Sequence, residues 1–125
     1  MAWSFHERAP VYVQIADRLR NAILKGEYSP GEQIPPVRQL AVTAAVNPNT
    51  VQRAVGELEA EGILVSRTTQ GCYVTEDAAV LARAQQNAAK KLIADFARQA
   101  GELSLDRDTV IHMLQEEMTD ECTGM

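Results

Sequence analysis

Apolar residues recur at helical spacing in residues 10–25, 37–45 and 48–61, which predicts three amphipathic helices. The stripe of the first helix consists of Tyr12, Ile15, Ala16, Leu19, Ala22 and Ile23. The stripes of the next two consist of Val37, Leu40, Ala41 and Ala44, and of Val51, Ala54, Val55 and Leu58. Asn47 is a favourable N-cap and Pro48 suits a first helical position, so a tight turn joins the second and third helices. This pattern predicts a helix-turn-helix.

Two short segments after this pair favour strands. Residues 63–67 and 72–75 are rich in β-branched and aromatic side chains, and the four residues between them are typical of a hairpin turn. Gly71 can take the positive φ that such a turn requires. A hairpin directly after a helix-turn-helix is a wing.

The composition shifts at Glu76. Residues 77–100 are alanine-rich and favour a helix, which we expect Gly101 to end. Ser104 is a candidate N-cap for a last helix. The sequence therefore predicts a mostly α protein with a small β-hairpin, in which a winged helix-turn-helix (residues 1–75) precedes a two-helix tail (residues 76–125).

The composition excludes several classes of protein. Of the 125 residues, 46% are hydrophobic and 23% are charged, as in an ordinary globular protein. No apolar run approaches the roughly 20 residues of a membrane span, and the first residues do not resemble a secretion signal, so we expect a cytoplasmic protein without membrane contact. The isolated cysteines and histidines predict no metal, no disulfide framework and no cofactor. No nucleophile–base pair or phosphate loop indicates an enzyme.

The net charge of −5 argues at first against a nucleic-acid partner, but the charge is unevenly distributed. Residues 1–75 carry seven basic and seven acidic side chains, so all excess acid falls in residues 76–125. Between Glu32 and Glu57 there is no carboxylate, whereas Arg38 and Arg53 lie there. Such a window suits a phosphate-facing surface, although a gap of this length also arises by chance.

The third helix carries residue types that read DNA. On a helical wheel, Asn49, Arg53 and Gly56 lie opposite the apolar stripe, and Thr50 and Gln52 flank it. Arginine can bond guanine bidentately, and asparagine or glutamine can do so with adenine. An ordinary surface helix is also polar outside, but a position between a tight turn and a hairpin favours DNA recognition.

Further candidates lie on the neighbouring elements. Arg38, near the start of the second helix, is placed to hold a phosphate or reach a base; a solvated arginine or an intrachain ion pair explains it equally well. The wing tip, with Arg67 beside it, can approach the minor groove or a phosphate, although a polar hairpin needs no such role. The tip residues are Thr68, Thr69, Gln70 and Gly71.

Residues 10–75 resemble the GntR family of bacterial regulators. The resemblance rests on P-V-Y-V-Q-I from Pro10, P-G-E-Q-I-P-P-V-R-Q-L-A from Pro30, V-N-P-N-T-V-Q-R-A from Val46, and G-C-Y-V from Gly71. Pro36 replaces the usual serine of the second motif, and Cys72 replaces a residue that is often small. The resemblance implies a winged helix-turn-helix with DNA contacts from Arg38, Asn47, Asn49, Thr50, Gln52, Arg53, Thr69, Gln70 and Gly71.

The short tail resembles that of the YtrA-type subfamily, which implies dimerisation through the tail and regulation of ABC-transporter genes. A lone alanine-rich amphipathic helix also needs a partner to bury its stripe. Packing against a twofold mate would bury Leu81, Leu92, Ile93 and Phe96, and a symmetric dimer matches a palindromic operator.

The sequence thus predicts a DNA-binding transcriptional regulator. Repression is the favoured direction, because dimers of this sort usually occlude promoters. The sequence does not decide whether an unidentified small-molecule effector binds at the dimer interface or hinge. The alternatives are a winged-helix module that binds protein instead of DNA, and a redox role for Cys72, whose simpler explanation is packing in the wing.

Overall fold

A computed structural model describes residues 3–67 and 71–123, with side chains as far as residue 118 in the last helix. Its elements are the helices α1 (Val11–Leu24), α2 (Val37–Ala44) and α3 (Pro48–Ala60), the strands β1 (Leu64–Arg67) and β2 (Gly71–Val74), and the helices α4 (Ala78–Glu102) and α5 (Arg107–Thr123). The predicted mostly α fold with a small hairpin is confirmed.

The chain divides into two compact units, Met1–Gln85 and Gln86–Met125, which we call the winged-helix unit and the C-terminal unit. The boundary lies inside α4. In the winged-helix unit, α1, α2, α3 and the hairpin enclose one apolar core. Its most completely buried large side chains are Ile15, Val51, Val55, Leu58, Ile63 and Val74. The three predicted stripes supply most of this core, because each helix turns its apolar face inward.

The turn between α2 and α3 is fixed at both ends by local hydrogen bonds. The side-chain oxygen of Asn47 accepts a bond of 2.8 Å from the backbone N–H of Asn49, as expected for an N-cap. Ala45, at the end of α2, takes a left-handed conformation with φ of 60°. The N–H of Val46 then donates to the carbonyl of Ala41 over 3.0 Å, the return bond of a Schellman-type ending.

The wing contains more than the predicted hairpin. β1 and β2 pair antiparallel, from Leu64 opposite Val74 to Arg67 opposite Gly71. Residues 31–34, for which the sequence predicted no strand, pair with the other edge of β2. Three bonds of 2.9–3.0 Å form this pairing, between Gly31 N–H and Val74 C=O, Val74 N–H and Glu32 C=O, and Ile34 N–H and Cys72 C=O. The wing is thereby tied to the segment that leads into α2.

Two predictions for the C-terminal part were wrong. Gly101 does not end α4, which continues to Glu102. The left-handed residue after the helix is Ser104, and the N–H of Leu105 donates to the carbonyl of Ala100 over 3.1 Å, the return bond of a Schellman-type ending. Ser104 does not cap α5, because it takes a φ of 60° in the link before the helix. Asp106 lies immediately before α5, and a hydrogen bond from Thr109 lowers the pKa of its carboxyl.

Large apolar side chains of the C-terminal unit lie at its surface. Leu92, Ile93 and Phe96 are 67%, 60% and 41% exposed. Leu81, which the sequence placed with them at a dimer interface, is half-buried and packs against the core of the winged-helix unit. None of the helices that the structure describes has the length and apolar character needed to cross a membrane.

Candidate nucleic-acid interface

The outer face of α3 is polar and accessible. Asn49, Gln52, Arg53 and Gly56 are exposed, and Thr50 is half-buried at the edge of this face. The opposite side of the helix is fixed in the core. The predicted α3 residues are therefore brought together on one surface. Asn47 is exposed at the N-terminus of the same helix, where its side-chain oxygen is engaged in capping.

Arg53 lies against an aromatic ring that sequence reasoning had assigned only to the core. Its guanidinium carbon lies 3.9 Å from the centroid of the Tyr12 ring, within the range of a cation–π contact. Tyr12 belongs to α1, where it is half-buried and packs against the core. A helical wheel of α3 gives no signal of this contact, because the ring comes from another helix.

Arg38 is the second residue of α2 and is exposed. The first turn of α2 contains no acidic residue, and no side chain caps its N-terminus, where Pro36 stands. The hydroxyl that the family pattern usually supplies at this position is therefore replaced by a ring without a donor. Arg38 therefore supplies the charge in the first turn of α2.

The carboxylates of α3 are confined to its C-terminal half, from Glu57 onwards. Just beyond the helix, Glu61 accepts two hydrogen bonds from Arg20 of α1, at 2.9 Å from Nε and 2.5 Å from a terminal nitrogen. The same guanidinium bonds Asp17 at 2.6 Å. The single guanidinium offsets part of the charge of these two carboxylates, and the N-terminal half of α3 contains no acidic side chain.

The base of the wing presents Arg67 and Gly71. Arg67 is exposed at the end of β1, and its guanidinium lies 4.7 Å from the centroid of the Tyr73 ring. Gly71 opens β2 with φ of 99°, and a Cβ added there would stand 3.0 Å from the side-chain nitrogen of Gln33. Glycine therefore suits this position in both conformation and space. The predicted contacts at Thr69 and Gln70 lie outside the described residues.

Cys72 is half-buried in β2. Burial raises the pKa of its thiol, and the nearby Glu59 carboxylate raises it further, whereas a hydrogen bond with Ser66 opposes the change. A raised pKa leaves less of the reactive thiolate, which favours a packing role over a redox role. Within the described residues, no group of three or more histidine, cysteine or acidic side chains is placed to hold a metal ion.

A tight helical pair followed by a two-stranded wing, with a polar outer face on the second helix, defines a winged helix-turn-helix DNA-binding unit. The chain belongs to the GntR family, because the model for "Bacterial regulatory proteins, gntR family" matches residues 11–74. This confirms the resemblance drawn from the motifs.

Relatives and solved structures agree with this assignment. The chain is 33% identical over 107 residues to the HTH-type transcriptional regulator YhcF of Bacillus subtilis, covering 86% of this chain and 88% of YhcF. It is 44% identical over 69 residues to the HTH-type transcriptional repressor YtrA of the same organism, covering 55% of this chain and 53% of YtrA. These matches confirm the YtrA-type assignment.

Among solved structures, a GntR family transcriptional regulator from Listeria monocytogenes aligns with a TM-score of 0.81 at 31% identity, covering 90% of this chain and 98% of that one. The DNA-binding domain of AraR in complex with operator ORX1 aligns with a TM-score of 0.55 at 26% identity, covering 58% of this chain and 93% of that one. The chain is thus a GntR-family DNA-binding transcriptional regulator. The family is not one of enzymes.

Proposed function

We propose that this regulator is a repressor that binds a palindromic operator as a homodimer, with α3 in the major groove. The observation that carries the proposal is the outer face of α3, where Asn49, Gln52 and Arg53 are exposed together and no carboxylate precedes Glu57. Such a face can approach phosphates without repulsion and offers donors and acceptors to base edges.

Each exposed side chain has a role that its chemistry suits. Arg53 bonds guanine or a phosphate, and Arg38 holds a phosphate beside the groove. Asn49 and Gln52 contact adenine or the backbone, and Thr50 contacts a phosphate or a thymine methyl group. Additional contacts come from the amide nitrogen of Asn47, from Arg67 and Gly71 at the base of the wing, and from Thr69 and Gln70 at its tip.

The proposed dimer forms through the C-terminal unit. Leu92, Ile93 and Phe96 are exposed on α4, and association with a second copy would remove them from water. Leu81 is half-buried against the core of the winged-helix unit, and its remaining exposed surface is also assigned to the proposed contact. A twofold dimer presents two copies of α3 to two half-sites, which is the basis for proposing a palindromic operator.

The direction and the target of regulation are proposed from the similarity to YtrA. YtrA is named a repressor, and a dimer on an operator occludes a promoter, so repression is the proposed direction. Control of ABC-transporter genes follows the YtrA-type assignment, and a cytoplasmic location follows the DNA partner. Any small-molecule effector acts by binding one conformation of the dimer better than another.

Fluorescence anisotropy with the duplex upstream of the protein's own gene tests the proposal. We expect nanomolar, salt-sensitive binding to this duplex and much weaker binding to an unrelated one. The double variant Arg38→Ala, Arg53→Ala is expected to lose the specific binding. The matched control Arg83→Ala, Arg98→Ala removes the same charge from α4 and is expected to retain it. Absence of binding to every duplex at low salt contradicts the proposal and favours a protein-binding module, which the net charge of −5 also suits.

A further inference from the structure

Arg53 and Tyr12 form a contact between two helices at the edge of the proposed DNA-binding face. Tyr12 lies in the first turn of α1, and Arg53 lies in the second turn of α3. The guanidinium carbon stands 3.9 Å from the ring centroid. The ring is half-buried against the core, whereas Arg53 is exposed. A partly buried ring therefore supports an exposed cation at the surface.

We propose that Tyr12 is a positioning residue for DNA recognition, whose ring holds the Arg53 guanidinium in the orientation that it uses on the operator. The inference rests on the proposed contact between Arg53 and DNA. It assigns to α1 a part in reading DNA, in addition to its packing in the core.

The geometry of a stacked arginine makes this role compatible with DNA binding. The 3.9 Å separation from the ring centroid suits a guanidinium that lies flat on the ring, so that its face makes the contact and its five N–H donors lie in the plane parallel to the ring. The donors that bond guanine or phosphate are therefore not consumed by the ring. A long, flexible side chain loses rotamer freedom when it binds, and a side chain held beforehand loses less.

A purely structural role for Tyr12 is the competing explanation, because the ring also packs against the core. Removing the ring would then change stability without any special link to Arg53. A double-mutant cycle measured on DNA binding separates the two explanations, since only a positioning role makes the effect of Tyr12 depend on Arg53.

The probe for this cycle is the duplex that the wild-type protein enriches from a random-sequence library. The variants are Tyr12→Leu, Tyr12→Phe, Arg53→Met and the double variant Tyr12→Leu, Arg53→Met, each with its thermal midpoint recorded. Tyr12→Leu is expected to weaken binding about three- to tenfold in the wild-type background and less than about twofold in the Arg53→Met background. Tyr12→Phe keeps the ring and is expected to bind like the wild type.

The outcomes distinguish the positioning role from the contact on which it rests. If Arg53→Met binds as tightly as the wild type, the Arg53 contact fails, and the positioning role fails with it. If Arg53→Met weakens binding but Tyr12→Leu has no effect, strengthens binding or acts equally in both backgrounds, the positioning role alone is overturned.

A second measurement does not depend on the folding of any variant. The side-chain protons of Arg53 over an aromatic face should show an upfield ring-current shift in NMR spectra of the wild-type protein. We expect this shift in the free protein and also in the complex with the selected duplex. Loss of the shift on DNA binding would mean that Arg53 leaves the ring to reach DNA, and would overturn the inference.

Discussion

The winged-helix unit and the C-terminal unit place their large apolar side chains differently. In the first, Ile15, Leu58 and Ile63 are fully buried, and the core is shared among three helices and the hairpin. In the second, Leu92 and Ile93 on α4 are more than half exposed. Both units contain amphipathic helices, so the difference lies in the number of elements available to cover each apolar face.

This difference separates stability that comes from contacts within one chain from stability that requires association with another. A unit with several elements around one core can fold by itself, because each stripe is covered by a neighbour in the same chain. A pair of helices with exposed leucine and isoleucine side chains does not bury them within its own chain. The free energy of removing these side chains from water is then available only through association. The winged-helix unit thus covers its own apolar stripes, whereas α4 exposes Leu92 and Ile93, where we propose the dimer contact.

The largest expected effect on stability is in the core of the winged-helix unit. Leu58→Ala should lower its free energy of unfolding by about 2–5 kcal/mol, because the side chain is fully buried and its removal leaves a cavity. Leu92→Ala, a matched change at a side chain that is 67% exposed, should alter the unfolding of the same unit by less than about 0.5 kcal/mol. Urea titration measures both, and similar losses in the two variants would break the comparison.

The second prediction concerns association. Ile93→Glu with Phe96→Glu places charges on the exposed face of α4 and should convert the proposed dimer to a monomer in sedimentation equilibrium. Operator affinity should fall by about two orders of magnitude, because the second half-site is no longer held at high effective concentration. Val42→Glu changes an apolar residue of α2 that is 81% exposed and should leave the sedimentation unchanged. A wild-type protein that sediments as a monomer would contradict the proposed role of this face.

A third, smaller contrast is expected between ion pairs. Glu61→Gln removes a carboxylate that bonds Arg20 twice, and it should destabilise the winged-helix unit by about 1–2 kcal/mol. Asp95→Asn breaks a 3.6 Å pair with Arg98 in which both side chains are at least half exposed, and it should cost about 0–0.5 kcal/mol. Thermal unfolding at low and high salt measures each loss. Equal losses of stability would show that the ion pairs of the two units contribute equally to folding.

The smallest effects are expected at two left-handed residues, one in each unit. Ala45 and Ser104 both have φ of 60°, a conformation that favours glycine. Ala45→Gly and Ser104→Gly should each stabilise their own unit by about 0.5–1 kcal/mol, after allowance for the greater freedom of glycine in the unfolded chain. Amide hydrogen exchange resolves the unit affected. A gain that spreads evenly over both would indicate that they unfold together.

Local signals in the sequence predicted the winged-helix unit well. Asn47 combines a capping side chain with a following proline, and the structure places its cap hydrogen bond there. Gly71 marks the turn in the wing, and its φ is positive. The exposed face of α3 also follows from helical periodicity, because the apolar stripe fixes which side turns outward.

Other features depend on contacts between distant segments or on close competition between local ones. The stack of Arg53 on Tyr12 requires α1 and α3 to be packed together, so neither helix reveals it separately. The end of α4 was misjudged because the left-handed position after the helix falls at Ser104, whereas the sequence pointed to Gly101. Ser104 and Asp106 are both residue types that favour the N-cap of a helix, so the sequence does not decide between them. The path of the chain between α4 and α5 places the first residue of α5 directly after Asp106.

We propose that the winged-helix unit reads DNA and that the C-terminal unit pairs two copies of the chain. Hydroxyl-radical footprinting of the enriched duplex, with wild-type protein and with the Ile93→Glu, Phe96→Glu variant, tests it most directly. For the wild type we predict two protected windows, related by a twofold axis and separated by about 10 base pairs or a multiple of that. For the variant we predict that both windows fade at the same protein concentration. A single window for the wild type, or a footprint that the variant leaves unchanged, would contradict the account.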